Sequence, residues 1–423
     1  TLSRVRRQRQ MCIRDRNMTN RQRVVIIGAN FAGIACAMKL SSQFSVTVID
    51  STPTFEFLPN IHELLSGVKS AERLRLPRAR ILKKLGHSFV QDTVTYIDAR
   101  GATIGTASGA SLDFDACVVA VGGVNNTFGL RGVEEFTQPF KSVDDCVRIK
   151  DQLDRLAATG KDMSLVIVGG GLEGIEALGE ILRAYRQLPG LAVHLVEGAK
   201  TLLPGGAAAL AGEILRKCQP YPVTFHLQEK VKAVTKTRVR LSSGESLKTD
   251  LTLWTGGAAP SPLLFENGLA TSEGKWAAVE PSLQSRYFDN VFVIGDAADL
   301  PAPLSKQAYH ALDMGSHAAI NVKRLLANSP LKPFKPGPEL SLISLGDIDT
   351  YLVAGNRVLA GTALAPAKEV IFQANMARLD PPLSIDPAIE LQARYWQGIR
   401  ELTLPLVCRP SSLLRLANLR LLA

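Results

Sequence analysis

"VIVGGGLEGIE", from Val166 to Glu176, is an apolar run that breaks into glycines and then resumes at helical spacing. It reads as a buried strand (Leu165–Val168), a glycine turn (Gly169–Gly174) and a helix (Ile175–Tyr185). A second strand (Val193–Val196) follows and ends in Glu197. Gly169, Gly171 and Gly174 form a full GxGxxG. Without Cβ atoms, the chain turns tightly and backbone N–H groups can approach a pyrophosphate at the helix N-terminus. Glu197 lies 23 residues past Gly174. A carboxylate there accepts from both ribose hydroxyls and repels a 2′-phosphate, so the spacing predicts NADH rather than NADPH. Lys200 nearby weakens that preference slightly.

The same pattern stands earlier as "VVIIGANFAG", Val24 to Gly33. A strand (Val24–Ile27), a turn (Gly28–Gly33), a helix (Ile34–Leu40) and a strand (Val46–Ile49) lead to Asp50. Asn30 replaces the middle glycine. Asn tolerates left-handed backbone angles better than most residues, so the turn is expected to survive with its side chain turned from the phosphates. Phe31 and Ala32 complete the loop. The echo continues through two short meanders, each ending in a buried strand and small residues, Gly122 in one and Gly256 in the other. A later strand (Val291–Ile294) runs into Gly295 and Asp296. A Gly-Asp at that point suits a flavin's ribityl chain and phosphate, which gives the first loop to FAD and the second to NADH.

The expected fold is therefore α/β. Two Rossmann-like dinucleotide-binding domains, the FAD domain interrupted by the NAD domain, precede a small C-terminal α+β region. The expected boundaries are 18–140 and 258–330 for FAD, 141–257 for NADH, and 331–423 for the C-terminal domain. Residues 1–17 read as an artefact or a disordered basic arm ahead of a start at Met18.

The chain has 423 residues, 46% apolar and 21% charged, which suits a globular protein of two or three domains. Its net charge of +10 is concentrated at the ends. Residues 1–17 hold six Arg and one Asp, and residues 391–423 hold five Arg and one Glu. The nearly balanced middle argues against a nucleic-acid groove. No window has the roughly 18 uninterrupted apolar residues of a membrane span. The six cysteines (12, 36, 117, 146, 218, 408) form no CxxC or CxxxxC. Electrons on a flavin therefore have no paired thiols to visit and must leave for a quinone, oxygen or a redox protein.

Further residues bear on that exit. Ser305 reads as the N-cap of a helix of about 20 residues, with Lys306 in its first turn. That helix end and Lys306 would favour an anionic reduced flavin. Gln307 and His310, three apart, would share a face and reach an acceptor. Glu176 and Glu180 are i, i+4, an unfavourable spacing for exposed like charges, which hints at a role for Glu176 near the nicotinamide. Neither a metal-ligand spacing nor a Gly-x-Ser-x-Gly elbow occurs. From Ala388 to Thr403 the apolar residues share one helix face, and "LLRLANLRLLA" at the end is Leu-rich with only Arg for charge. This predicts helices on a membrane surface.

Together "GANFAG", "FLPNIHELLSG", "GGGLEGIEALGE", "WTGG", "GDAADLPAP", "KQAYHA" and "SLG" give the chain a resemblance to a known family. From about Arg23 to Gly361 it resembles the type II NADH:quinone oxidoreductases and the related apoptosis-inducing-factor-like flavoproteins. These belong to the pyridine nucleotide-disulfide oxidoreductase superfamily; here the redox disulfide is lacking. The resemblance implies non-covalent FAD, NADH over the isoalloxazine, a quinone acceptor, and peripheral attachment to the cytoplasmic side of a membrane. A cytoplasmic protein is expected if the tail does not bind lipid, and a homodimer is allowed. "GIEALGE" is similar to the family's "GVELAGE", so Glu176 is carried over as the carboxylate by nicotinamide and quinone. In the family's quinone motif, Gln307 matches the first Gln, while the second falls on Ala311. Two alternative activities are a soluble NADH-dependent reductase of a ferredoxin- or rubredoxin-type protein, and sulfide:quinone oxidation using Cys117 and Cys146. A nucleic-acid-binding flavoprotein is a third reading, opposed by the balanced middle.

Overall fold

The structure is a computed structural model that describes residues 21–380 and 419–422. The chain divides into two compact units. Of the described residues, the first holds 21–55, Leu76–Val124 and Ala258–Gly337; the second holds Glu56–Arg75, Asn125–Gly257, 338–380 and 419–422.

In the first unit, β1 (Arg23–Ile27), α1 (Phe31–Lys39) and β2 (Ser45–Asp50) form the opening βαβ. The sheet order is Val291–Val293, Ala116–Val119, β1, β2, Ser88–Gln91, with every pair parallel. Val24, Ile26 and Val48 are fully buried, as strands covered on both faces require. Small residues let α1 lie close to the helix Ala308–Leu326. A methyl group at Gly315 would stand 2.1 Å from the Ala32 carbonyl oxygen.

The second unit repeats the plan with β3 (Met163–Val168), α2 (Leu172–Tyr185) and β4 (Leu191–Glu197). Its order is Gln138–Pro139, Leu251–Trp254, β3, β4, Val223–Leu227, again all parallel. In both sheets the strand that feeds the glycine turn is third of five and has a later strand on its other side. That reversal opens a crevice at the carboxyl ends of the strands. Beyond it, β5 (Leu340–Leu345) pairs antiparallel with Asp349–Ala354, and α3 (Ala365–Leu379) follows. Gly179 of α2 meets the turn after β5 backbone to backbone. A methyl group at Gly179 would lie 2.3 Å from the Gly346 nitrogen, and one at Gly346 would lie 2.1 Å from the Gly179 oxygen.

Three expectations change. Both cradle helices start three residues early, at Phe31 and Leu172, because the last residues of each glycine turn already form the first helical turn. The helix expected from Ser305 begins at Ala308, with Gln307 extended at its N-cap (φ −127°). Ser305 and Lys306 precede it, so Lys306 is not in a first turn and Gln307 shares no helix face with His310. Thirdly, the Leu-rich end is not helical where it is described. Arg420–Leu422 pairs antiparallel with Arg357–Ala360, and Arg420 bonds Glu213 and the buried Asp349. The amphipathic segment 388–403 lies outside the described residues. Among the described residues, no helix is long and apolar enough to cross a membrane.

Candidate functional site

The first cradle is shaped by two glycines. Gly28 has φ +94°, and a methyl group there would stand 2.4 Å from the Ala120 oxygen. One at Gly33 would stand 1.9 Å from the Gly28 oxygen. Asn30 is the N-cap of α1 with φ −101°, so the left-handed residue of this loop is Gly28 and not Asn30. Behind the turn, Phe31 packs edge-on against Phe55 with ring centroids 5.1 Å apart. Ala32 backs Gly295, itself left-handed, at 3.1 Å from the position a Cβ would take. Gly122 is also left-handed, and a methyl group there would meet nothing within 4 Å.

Asp50 closes this cradle. Its Oδ2 accepts from the Ala29 N–H (2.8 Å), and its Oδ1 from the Thr52 N–H (2.9 Å) and hydroxyl (3.0 Å). Arg78, almost wholly buried, donates to the same Oδ1 (2.8 Å) and to the Ala29 oxygen (2.8 Å). Nothing local in the sequence marks Arg78, which reaches the acid from 28 residues away.

A cavity of about 210 Å³ in the same unit is lined by Trp276, Asp296, Ser305, Lys306, His310 and Met314, among others. The Lys306 ammonium lies 3.6 Å over the Trp276 ring and donates to the Asp296 carbonyl. Desolvation lowers its pKa, although the residue as a whole is exposed. His310 is buried and lies against Tyr309, with ring centroids 4.0 Å apart and planes tilted by 43°. Neither of its ring nitrogens has a hydrogen-bond partner among the described residues, nor has the buried Ser305 hydroxyl. Buried polar atoms without partners cost about 1–3 kcal/mol each, and a polar ligand would supply them.

The second cradle repeats the first. Gly169 has φ +113°, with Thr255 behind it. A methyl group at Gly174 would stand 1.9 Å from the Gly169 oxygen, the same approach as at Gly33. Gly171 (φ −75°) is the N-cap of α2, and a methyl group there would meet nothing within 4 Å. At this middle position the glycine keeps room rather than a left-handed angle. Gly256 is pressed against the Trp254 indole, whose N–H donates to the Asn126 oxygen (2.7 Å). Glu197 closes the cradle. Its Oε2 accepts from the Gly170 N–H and its Oε1 from the Ala199 N–H, both at 2.7 Å. Among the described residues no arginine is bonded to it, and Lys200 is exposed.

One turn into α2, Glu176 and Glu180 are both buried rather than solvated. Glu176 Oε1 accepts from the Ser344 N–H of β5 (3.1 Å) and from the ammonium of Lys368, on α3. His62, in the short helix Leu58–Leu64, completes the group. Its Nδ1 is 3.4 Å from Glu176 Oε2, and its Nε2 is 3.2 Å from the Lys368 ammonium. Burial raises the Glu176 pKa against the pull of Lys368. Burial and then Lys368 push His62 well below the usual histidine range. Glu180 bonds the Ser66 hydroxyl and faces Arg183 at 3.3 Å, yet burial lifts its pKa to about 7. At the rim, the Lys69 ammonium lies between Glu63 (3.4 Å) and Glu369. The sequence contained His62 inside a quoted motif without singling it out, and Lys368 carried no signal at all.

Four cysteines, Cys36, Cys117, Cys146 and Cys218, are free and buried, with thiol pKa values raised mainly by desolvation. Such thiols are poor nucleophiles. Among the described residues, no three His, Cys, Asp or Glu could share a metal ion.

Two glycine cradles on two parallel sheets, each closed by an acid, define an oxidoreductase built around two dinucleotides. The chain belongs to the pyridine nucleotide-disulphide oxidoreductase family, whose model it matches over residues 22–315. It is 28% identical over 381 residues to the type II NADH:quinone oxidoreductase of Staphylococcus saprophyticus, covering 83% of this chain and 94% of that protein. The protein of the same name from Staphylococcus aureus matches with the same identity and coverage. Solved structures share the fold, among them two that cover nearly the whole chain. NDH2 of Plasmodium falciparum, in complex with NADH, has a TM-score of 0.75 at 16% identity, over 92% of this chain and 99% of that one. The sulfide:quinone oxidoreductase of Aquifex aeolicus has a TM-score of 0.77 at 19% identity, over 92% and 97%.

Proposed function

We propose that the protein takes a hydride from NADH and delivers two electrons to a quinone through FAD. The observation that carries this reading is the pair of cradles, matched at the first and last glycine and at the closing acid, in separate units. FAD, when bound, accepts a hydride and releases its electrons to a second acceptor.

The first unit's residues fit FAD. Gly28 and Gly33 open the backbone to a pyrophosphate, Asp50 stands at the ribose position, and Gly295 and Asp296 border a cavity holding partnerless polar atoms. His310 and Ser305 would bond the polar edge of the ring system there, and Lys306 adds positive charge beside it. Gln307, at the helix N-cap, is assigned to the acceptor side on the resemblance.

The second unit's residues fit NADH. Each Glu197 oxygen accepts one backbone N–H, which leaves each a lone pair for one ribose hydroxyl. The same carboxylate repels a 2′-phosphate. Gly171 gives the pyrophosphate room, and Glu176 stands ready to hold a proton.

A quinone is preferred to a disulfide acceptor because the described thiols are buried and protonated. Attachment to a membrane surface rests on the amphipathic pattern of 388–403. Flotation with anionic vesicles, lost when the chain stops at 387, would support it.

The function itself is tested by adding NADH anaerobically to the flavin-loaded protein and then a soluble quinone. Rapid bleaching, slower with NADPH, and prompt recovery of colour are expected. Bleaching without recovery would pass the acceptor role to a redox protein, and no bleaching would overturn the reading.

A further inference from the structure

The group around Glu176 is wired asymmetrically. Oε1 has two donors, the Ser344 N–H and the Lys368 ammonium, whereas the contact to Oε2 is His62 Nδ1. An ammonium has no lone pair to accept with, so Lys368 must donate to His62 Nε2. With the imidazole neutral, its one proton is then on Nδ1, the nitrogen that lies 3.4 Å from Oε2. The tautomer follows from the geometry. All three side chains are buried, and they come from three elements far apart in sequence: a short helix, α2 and α3.

Reduction of a quinone by NADH consumes one proton besides the hydride: NADH, the quinone and H⁺ give NAD⁺ and the quinol. We infer that His62 is the relay that loads this proton onto Glu176 Oε2. The inference rests on the proposed quinone reaction and on Glu176 as its proton donor. In the step, a proton leaves Lys368 Nζ for His62 Nε2 while the Nδ1 proton passes to Oε2. The ammonium becomes an amine, the carboxylate becomes a carboxylic acid, and the imidazole stays neutral with its tautomer reversed. Glu176 then gives its Oε2 proton to the oxyanion of the acceptor. Solvent reprotonates the Lys368 amine, and proton exchange at the ring restores the first tautomer. The ion pair and the neutral pair carry the same total charge, so the step puts no net charge into the buried site. The other charged groups around it are Glu63 and Lys69, Glu180 and Arg183 on α2, and Glu369 on α3. They surround the trio without interrupting it.

His62 acts through Glu176 and is a positioning residue, so the test compares two acceptors. Ferricyanide takes electrons alone, whereas a quinone takes electrons and protons. His62→Gln keeps a donor and an acceptor but cannot pass a proton through its side chain. Quinone turnover is expected to fall about tenfold or more, as loss of a proton-transfer group does, with ferricyanide turnover within about twofold of the parent. Equal loss with both acceptors, or no loss with either, would overturn the relay. A parent protein that reduces ferricyanide but no quinone would sink the functional reading instead. A second measurement needs no variant. Nitrogen NMR of histidine-labelled protein should show His62 neutral and protonated on Nδ1 down to about pH 6, where an ordinary histidine, with a pKa of about 6.5, is already mostly charged. A proton on Nε2, or an imidazolium at that pH, would overturn the proposal.

Discussion

The two cradles are the same device with different surroundings. In each, a β-strand ends at a left-handed glycine, and five residues later a second glycine comes close to the first one's carbonyl. In each, an acid at the end of the next strand accepts the N–H just after the first glycine. They differ in what the acid has left to offer. Asp50 Oδ1 already has three donors, one of them the buried Arg78, while Glu197 accepts one bond on each oxygen. The first acid is locked in place, and the second is open to both hydroxyls of a ribose. That suits a cofactor that stays and a nucleotide that must come and go.

The helices differ as well. The buried residues of α1 are all small or apolar, whereas α2 buries Glu176 and Glu180. The buried side chains of the first helix only pack, and those of the second bring ionisable groups into the interior.

Substitutions can break or sharpen this contrast. The largest effect is expected where the cradles are identical. Gly33→Ala drives a methyl group into the Gly28 carbonyl, with backbone on both sides, and should cost about 3 kcal/mol or more. The check is flavin retained on gel filtration and the melting temperature. Next is Arg78→Met, which strips a buried partner from Asp50 and should destabilise by about 3 kcal/mol. Chemical denaturation with and without added FAD would read it, and a loss under about 0.5 kcal/mol would make the lock ornamental.

A pH effect of similar size separates the helices. The Glu180 pKa is raised from 4.5 to about 7, so the folded state holds a proton that the unfolded state releases. Its contribution is fully present below pH 4.5 and is lost as pH rises through about 7. Glu180→Gln should therefore match the parent near pH 4 but be more stable by up to about 3 kcal/mol near pH 8. Parallel stability curves across that range would refute it.

Glu197→Gln should weaken NADH binding about tenfold and narrow its lead over NADPH, because one acceptor and the repelling charge are lost. Titrations with both nucleotides decide that. The smallest effect is expected from Asn30→Gly. With φ at −101° the backbone needs no glycine at this N-cap, so chemical denaturation should show a stability change of less than about 0.5 kcal/mol.

The cradles were legible because everything they need is close in sequence. Glycines, strand ends and acids fall within about thirty residues, and their spacing is the geometry. The surroundings were not. Lys368 stands 192 residues from Glu176 and 306 from His62, so no window holds the trio. The expected role for Ser305 failed for a simpler reason. A serine before an apolar run is a good N-cap signal, but the extended backbone at Gln307 starts the helix at Ala308 instead.

The contact between Gly179 and Gly346 has a mechanical consequence. With no side chain on either face, the joint has no compressible material in it. A shift of a few tenths of an ångström in the hairpin must be passed to α2 whole. The Ser344 N–H, two residues before that joint, holds the Glu176 carboxylate. The hairpin therefore works as a rigid stop for α2, and the alignment of the buried acid is gauged by a segment that lies outside both cradles.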